Sequence, residues 1–551
     1  MRLLAGLGSR RTLPQDVRAG LTLGVESVPD GLASGLLAGV NPAYGLYAYL
    51  VGTAAGALAT SSVFMSVQAT GAMSVIVADV PGLTTGSDAT GLFTLSVITG
   101  AVMLVLGLLR LGSLVRFVPN AVLTGFINAV AVNIVLGQLS NLTGYSSAGG
   151  NRISRTIDTL LHPQSWAWAS VAVGAATIGL ILLLERTPVG QLGLVVAVVL
   201  TSAGAAALSL TAVATLDDVA QVPSSLPSFV VPDLSLVGSL LVPALSLALV
   251  GLVQGAGISG SIPNPDGRYP DASGDFRGQG VANIAAGLLQ GMPVGGSMSA
   301  TSLVRAAGAR SRTANLVAAA VMALLILLFG PVLGYIAMPA LAALLILVGV
   351  RSFRVENMVG VWRTGPAQAT TMAVTFVLTL VVPLQYAVLV GVGLSVVLHV
   401  AQQSNRVTVT RWEWDDQGRL VEGEVPAVLR SGEVVVLQPY GSLFFAAVPL
   451  FDRQLPAPGA PSAAVILRLR GKQELGSTFI TVLRRYSDEL SRAGCRLYLA
   501  GVGDRVAAQL EATGTLELLG ADAVFRATPV VTDSLLAART AAEDWVRESA
   551  H

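Results

Sequence analysis

The sequence predicts a polytopic α-helical membrane domain followed by a small α/β domain. Three observations carry that expectation. The 551 residues are 53% hydrophobic and 12% charged, whereas a soluble globular chain carries about a quarter charged residues; the mean hydropathy is +0.70. The charge is unevenly spread. From about Arg18 to Val400 it sits mostly in short connections, and from about Asn405 onward it reaches ordinary globular density. Finally, two Gly/Ser-rich interruptions fall inside apolar segments at matching places in the two halves. They are Ser66-Val67-Gln68-Ala69-Thr70-Gly71 and Gly295-Gly296-Ser297-Met298-Ser299-Ala300.

A membrane span needs about 20 mostly apolar residues. Such segments lie near 17–37, 41–60, 91–109, 118–139, 168–184, 190–210, 237–257, 312–333, 336–350, 366–382 and 384–400, with shorter ones near 66–78, 280–291 and 298–309. Together they predict fourteen spans. An Asp-, Pro- and Ser-rich stretch (Asp217, Asp218, Pro223, Pro227, Pro232, Asp233) divides them seven and seven. The expected parts are a cytoplasmic N-terminal segment 1–15, a first transmembrane repeat 16–210, an extracytoplasmic linker 211–235, a second repeat 236–402 and a cytoplasmic domain 403–551. Arg2, Arg10 and Arg11 surround a short Leu/Gly stretch with no signal-peptide core or cleavage site, so the first helix is expected to stay in the mature protein.

Arginine placement tests the count. With the N-terminus inside, the even connections carry Arg110, Arg116, Arg186, Arg268, Arg277, Arg310, Arg312, Arg351, Arg354, Arg363 and Arg406. The odd connections carry Asp79, Asp88, Asp217, Asp218 and Asp233, with Arg152 and Arg155 as exceptions. This is the positive-inside pattern, and one miscounted span would scramble it. An odd number of spans per half makes the halves inverted repeats, a transporter architecture. Spacing repeats too: Glu26 lies 40 residues before Ser66, and Gln254 lies 43 before Ser297.

After the last span, Val434–Leu437, Val465–Leu467 and Leu497–Leu499 read as short strands, and 477–493, 503–518 and 532–548 as helices. Strands alternating with helices predict an α/β domain.

The formal net charge of +1 implies no polyanionic partner, and no nucleic-acid binding is expected. The single cysteine, Cys495, excludes an intrachain disulfide; it reads as packing beside a buried strand. The three histidines form no metal constellation; His399 ends an apolar helix and His551 ends the chain. With no nucleophile–base pair, metal set or cofactor motif, an enzyme is not expected. Lys472, the only lysine, lies in Gly471–Thr478 between a strand and a helix. That loop lacks the Walker A spacing and reads as a structural turn, with regulation as the weaker alternative.

The functional reading begins at the two interruptions. Broken helices in corresponding positions of two repeats point to a midplane binding site. Their N-termini present unpaired N–H groups and the positive ends of helix dipoles, which hold an anion without Lys or Arg. Close packing of small residues is the competing reading. Glu26 is an acid inside the first apolar span, a functional hypothesis by default. Asp30 lies one turn on, with Pro29 between them. Two carboxylates so close resist being charged together, which suits a proton carrier; the alternative is a solvated vestibule or an ion pair for Glu26, with Asp30 as a polar ligand only. Gln254 either binds substrate or makes an interhelical amide bond. Arg305 either adds positive potential or extends toward the cytoplasm.

Two stretches resemble the sulfate permease family, also called solute carrier family 26. Asp16–Tyr47 is similar to its D-x-x-A-G-L-T, Pro-Gln-Gly-Leu-Ala and A-G-x-x-P-x-x-G-L-Y runs, and Gly291–Leu316 to its Pro-x-x-G-S-x-S…G-A-R pattern. The tail resembles a sulfate-transporter and anti-sigma-antagonist (STAS) domain. The resemblance implies a 7+7 inverted-repeat fold with core and gate domains, anion transport by alternating access, and a homodimer. It places the anion between the third and tenth helices, so the implied binding residues are Asp30, Gln68, Ala69, Thr70, Gly71, Gln254, Gly296, Ser297, Met298, Ser299 and Ala300, with Glu26 and Asp30 for proton coupling. Three positions depart from the family: Asp30 replaces a usual Gln, Gln254 a frequent acid and Ala300 a frequent Arg. The last two changes keep the charge balanced but remove the usual coupling carboxylate and a fixed positive charge.

The expected function is secondary active transport of a small anion (sulfate, bicarbonate or a C4-dicarboxylate such as fumarate) with a co-transported proton, in a bacterial inner membrane. Uncoupled exchange or conduction is the principal alternative. A nucleobase permease and a membrane-tethered signalling module are weaker ones, since no aromatic cage appears and an anchor needs far fewer spans.

Overall fold

The computed structural model describes residues 12–83, 89–112, 119–149, 151–187, 190–219, 224–382 and 407–549, with scattered positions between 383 and 406. Arg2, Arg10, Arg11, Asp88, Arg116, Pro223, His399, Asn405, Arg406 and His551 lie outside the described residues, as does most of the expected span 384–400. The chain divides into two compact units, Met1–Ser395 and Val396–His551.

In the first unit, α1 (Leu13–Leu37) and α2 (Pro42–Ala59) form an antiparallel hairpin, capped at its turn by the Asn41 side chain on the Ala43 N–H. Gly45 makes that hairpin close: a Cβ there would lie 2.2 Å from the Gly31 carbonyl oxygen and 2.6 Å from the Gly35 nitrogen. The expected third span is broken into an extended segment β1 (Ser66–Gln68) and a short helix α3 (Gly71–Ala78). Next come α4 (Thr90–Leu108), α5 (Asn120–Thr143), a short amphipathic α6 (Arg152–Leu161), α7 (Trp168–Leu184) and α8 (Gly193–Ala207). The series then repeats: α9 (Val237–Ser261), α10 (Ala272–Leu288), β2 (Gly295–Ser297) with α11 (Met298–Ala306), α12 (Thr313–Leu333), α13 (Met338–Ser352), the surface helix α14 (Val355–Thr364) and α15 (Pro366–Val381). Among the described residues, five helices are long and apolar enough to cross a membrane, and α7, α8 and α15 are shorter apolar helices.

Repeat-related elements keep related neighbours: α1 packs on α12 as α9 packs on α4, and α2 on α12 as α10 on α4. These contacts gather α1–α4 and α9–α12 into one bundle. A second bundle forms where α5 packs on α13 and α15, and α7 on α8 and α13. The core-and-gate division implied by the family resemblance is therefore visible in the packing. One boundary differs from expectation. The segment near 280–291 belongs to a helix that begins at Ala272, because Asp271 caps it by accepting from the Ser273 and Gly274 N–H groups. Its polar start is stabilised by burial with partners: Asp275 accepts from Ser61 Oγ, Ser62 N and Ser259 Oγ at 2.7, 2.7 and 2.6 Å. Asp16 likewise accepts from Arg310 N, Ser311 N and Ser311 Oγ at 2.7, 2.9 and 2.7 Å. That latch joins the two stretches on which the family resemblance rests.

The second unit is one six-stranded sheet in the order β4-β3-β5-β6-β7-β8. Strands β5 (Val434–Tyr440), β6 (Ala464–Arg468), β7 (Arg496–Val502) and β8 (Val524–Arg526) are parallel, while β3 (Thr408–Trp414) runs antiparallel to both β4 (Leu420–Gly423) and β5. Side chains alternate across a sheet. Here Val435, Leu437, Val465, Leu467, Leu497 and Leu499 face helices α17 (Ser477–Arg492) and α18 (Asp504–Ala512), whereas Val436, Ile466 and Tyr498 face the last helix, α20 (Asp533–Ser549). The short α16 (Val448–Asp452) and α19 (Thr515–Leu519) lie on the α17–α18 face, where Val448, Phe451 and Leu519 join the same core. The helix expected over 503–518 splits at Gly514, whose φ of +65° is left-handed and costs glycine little. Cys495 is buried, its Sγ donating to the Ala460 carbonyl at 3.3 Å.

Candidate functional site

The two interruptions meet. Strands β1 and β2 pair antiparallel, with Ser66 opposite Ser297, Val67 opposite Gly296 and Gln68 opposite Gly295. From this crossing the chain enters α3 on one side and α11 on the other, so two helix N-termini flank one point.

Buried amides hold the crossing. Asn283 donates to the Val294 carbonyl at 2.6 Å and accepts from the Val294 N–H at 2.8 Å. Gln279 Oε1 accepts from the Gly296 N–H at 3.0 Å. Gln68 Nε2 donates to Ser27 Oγ at 2.9 Å and Thr53 Oγ1 at 3.3 Å. Asn315 accepts from Ser66 Oγ at 2.7 Å and donates to the Phe64 and Met65 carbonyls. Extended backbone at this depth is stable only when such partners satisfy it.

Both helix ends are capped. Thr70 Oγ1 accepts from the Met73 N–H, and Ser297 Oγ accepts from the Ala300 N–H at 3.3 Å. Helix geometry gives the first-turn amides of Gly71, Ala72, Met298 and Ser299 no intrahelical acceptor. Thr70 Oγ1 donates to Gln254 Oε1 at 3.1 Å, and the Gln254 amide nitrogen has no hydrogen-bond partner among the described residues. Ser297 and Ser299 hydroxyls lie 3.1 Å apart.

The expected site residues thus separate into two groups. Thr70, Gly71, Gln254, Ser297, Met298 and Ser299 gather at the facing helix ends; Met298 and Ser299 are exposed there. The Gln68 amide nitrogen and the Gly296 N–H are taken up by the scaffold, as is the N–H of Ala300. Ala69 is buried, and its carbonyl accepts from Ser34 Oγ at 3.4 Å. Arg305 sits exposed in the last turn of α11, so it extends away from the crossing.

Glu26 and Asp30 lie one turn apart on α1, which runs unbroken through Pro29. Both are half-buried, and among the described residues neither forms an ion pair or hydrogen bond. Sequence reasoning missed Ser27, Ser34, Tyr49, Thr53, Gln279, Asn283 and Asn315. Their signal was available as isolated polar side chains in apolar spans, with Ser34 continuing the i, i+4 row of Glu26 and Asp30. At the far end of α3, Asp79 pairs with Arg152 at 2.8 Å, and Arg152 also donates to the Val75 carbonyl at 3.3 Å. This accounts for one of the two arginines that break the charge pattern.

The sulfate permease family model matches residues 13–375, and the STAS domain model matches residues 425–528. Over 537 residues the chain is 27% identical to the Mycobacterium tuberculosis protein named "Probable sulfate transporter MT1781", with 94% of this chain and 95% of that one covered. It is 26% identical over 528 residues to the bicarbonate transporter BicA of Picosynechococcus, with 91% of each covered. The fold is similar to that of murine solute carrier 26 family member A9, an anion transporter solved in the inward-facing state. The TM-score is 0.85 at 18% identity, with 98% of this chain and 94% of that chain covered; at that identity the likeness is one of fold.

Proposed function

The chain belongs to the sulfate permease family, a family of anion transporters rather than enzymes, and from that premise we propose that it is a secondary active transporter of a small anion, driven by a co-transported proton. Sulfate, bicarbonate and a C4-dicarboxylate such as fumarate are the candidate substrates; relatives are named for the first two. The observation that carries the reading is the crossing of β1 and β2, which aims two helix N-termini at one point. The anion is held by the amides of Gly71, Ala72, Met298 and Ser299, by Gln254 Nε2 and by the Ser297–Ser299 hydroxyls. Charge–dipole attraction of this kind is worth up to about 2 kcal/mol per helix end in partly buried geometry.

Glu26 and Asp30 carry the proton. An unpaired acid pair inside a span binds a proton most easily when the anion's charge arrives beside it, so anion and proton load together. The core bundle then moves against the gate bundle to change access. We also infer an inner-membrane location with both termini cytoplasmic, supported by the arginine distribution, and a homodimer, which rests on the family resemblance. The repeat boundaries 16–210 and 236–402 are part of the same proposal.

The test is uptake of labelled anions into proteoliposomes under an imposed inward proton gradient, for wild type and Glu26→Gln. Gradient-driven accumulation of one anion, lost in the variant, is expected. Gradient-independent uptake that the variant leaves unchanged would instead favour an exchanger or channel using the same helix ends.

A further inference from the structure

Helix α14 carries three distinct faces. Consecutive residues of a helix step about 100° around its axis. Met358 and Val361 fall on one side and pack with Ala121 of α5 and Met372 of α15. Val355, Val359 and Trp362 fall on the next side, within about 60° of one another, and are 57, 42 and 63% exposed. Glu356, Gly360, Arg363 and Thr364 fall on the remaining side with Asn357, all exposed. A globular protein turns such an apolar stripe toward its core; here it lies open, beside the face that packs on the bundle. Arg354 precedes the stripe and Arg363 follows it. Both are exposed, and among the described residues neither guanidinium forms an ion pair or hydrogen bond. Arg351, by contrast, is held by Glu185 at 2.6 Å.

Helix α6 stands at the corresponding place in the first half, between α5 and α7 as α14 stands between α13 and α15. It is built the same way. Thr156 and Thr159 are buried, while Ile157, Leu160 and Leu161 are exposed on the next face, with Trp168 exposed just beyond the helix. Its arginines are engaged: Arg152 with Asp79 at 2.8 Å, and Arg155 with the Gly149 carbonyl at 3.1 Å. The apolar stripe thus recurs in both halves, and the free arginines belong to α14.

We propose that α14 is an interfacial lipid-binding helix. Its Val355–Val359–Trp362 stripe enters the head-group boundary of the cytoplasmic leaflet, and Arg354 and Arg363 take the phosphates of anionic phospholipids there. The choice of leaflet rests on the topology proposed above. A helix of this pattern settles about 5–10 Å into the boundary between head groups and acyl chains, the level that tryptophan favours. Each arginine near an anionic leaflet adds about fivefold to binding. A protein partner fits poorly, since a stable interface takes about 20–30 residues a side and the stripe offers three. Val348 and Val350, near the end of the span that leads into α14, are exposed as well, so the apolar surface runs on from span to helix. Because α14 packs on α5 and α15, lipid capture holds the gate bundle to one leaflet while the core bundle moves.

The test attaches bimane to a single cysteine, Val359→Cys or Asn357→Cys, in a Cys495→Ser background. The full chain is reconstituted in vesicles of phosphatidylcholine and phosphatidylglycerol, with one or the other lipid brominated. Brominated lipid is expected to quench the label at the Val359 position and not at the Asn357 position. Phosphatidylglycerol should quench more strongly than phosphatidylcholine, and that preference should fall about fivefold in each of Arg354→Gln and Arg363→Gln. No quenching at the Val359 position overturns the proposal, because the stripe would then meet water or protein. Equal quenching by the two lipids, or a preference that both arginine variants keep, overturns the assignment of anionic head groups. A membrane-impermeant thiol reagent on Asn357→Cys decides the leaflet separately. Reaction in inverted vesicles alone is expected; reaction in intact cells would overturn the topology and leave the lipid contact standing.

Discussion

The Gly45 crossing offers a perturbation whose size can be worked out. In Gly45→Ala the new methyl would lie 2.2 Å from the Gly31 oxygen, against 3.4 Å where ordinary contact begins, so α1 and α2 must part by 1.2 Å. The opposing atoms are backbone, and no rotamer change relieves them. Alanine gains about 1 kcal/mol of helix propensity over glycine, but overpacking a close-packed contact costs about 1–3 kcal/mol and sometimes more. The clash should win, with a net loss of about 2 kcal/mol if the upper part of that range applies. Asp30 directly precedes Gly31 on α1, so separation of the helices also displaces the acid pair to which proton coupling is assigned. Gly204→Ala in α8 is the control, since a Cβ there meets nothing within 4 Å and should stabilise slightly. Thermal unfolding of the purified proteins, followed by gradient-driven uptake, reads both effects. Gly45→Ala is expected to melt below wild type and to lose coupling, while Gly204→Ala does neither. Equal melting temperatures for the two variants, with coupling kept, would refute the close-contact reasoning.

Other consequences are separable. Gln254→Leu removes the unpartnered amide donor and should weaken anion binding by roughly 10- to 100-fold, the worth of one hydrogen bond to a charged group; titration calorimetry of the purified protein measures it, and unchanged affinity would remove Gln254 from the site. Asp16→Ala leaves the Arg310 and Ser311 N–H groups without an acceptor, at about 1–3 kcal/mol for the buried Ser311 donor. It should therefore lower the melting temperature more than Ser311→Ala, which removes a single hydroxyl. Asp79 and Arg152 join a core-bundle helix to the gate-side connection, so Asp79→Arg and Arg152→Asp should each slow transport and the double swap should recover it. Additive losses in that cycle would show that the pair does not act as a unit.

Much of the membrane domain was legible because a bilayer imposes length and polarity on each span. The limits of α7 were read correctly from Trp168 to Leu184 on apolar content alone. The start of α10 was not, since Ser273, Asp275 and Arg277 look like loop until Asp275 is seen buried with three donors. The meeting of the two broken helices was legible from symmetry, but the direction of each polar group was not. Gln68 and Gln254 look alike in sequence, yet the Gln68 amide nitrogen is bonded to Ser27 and Thr53, while that of Gln254 has no partner among the described residues. In the C-terminal domain the buried strands β5, β6 and β7 were plain from their apolar runs. Strand β3 was hidden by Arg411 and Glu413, which an exposed, edge-ward strand tolerates, and β8 by its brevity.

The position of the bound anion is the observation on which most depends. Anomalous diffraction from crystals soaked with selenate, a heavy counterpart of sulfate, would locate it directly. The expected peak lies about 3 Å, hydrogen-bond distance, from the amides of Gly71, Ala72, Met298 and Ser299. A peak bound elsewhere in the membrane domain, with the helix ends empty while selenate competes for uptake, would contradict a site built from two helix N-termini.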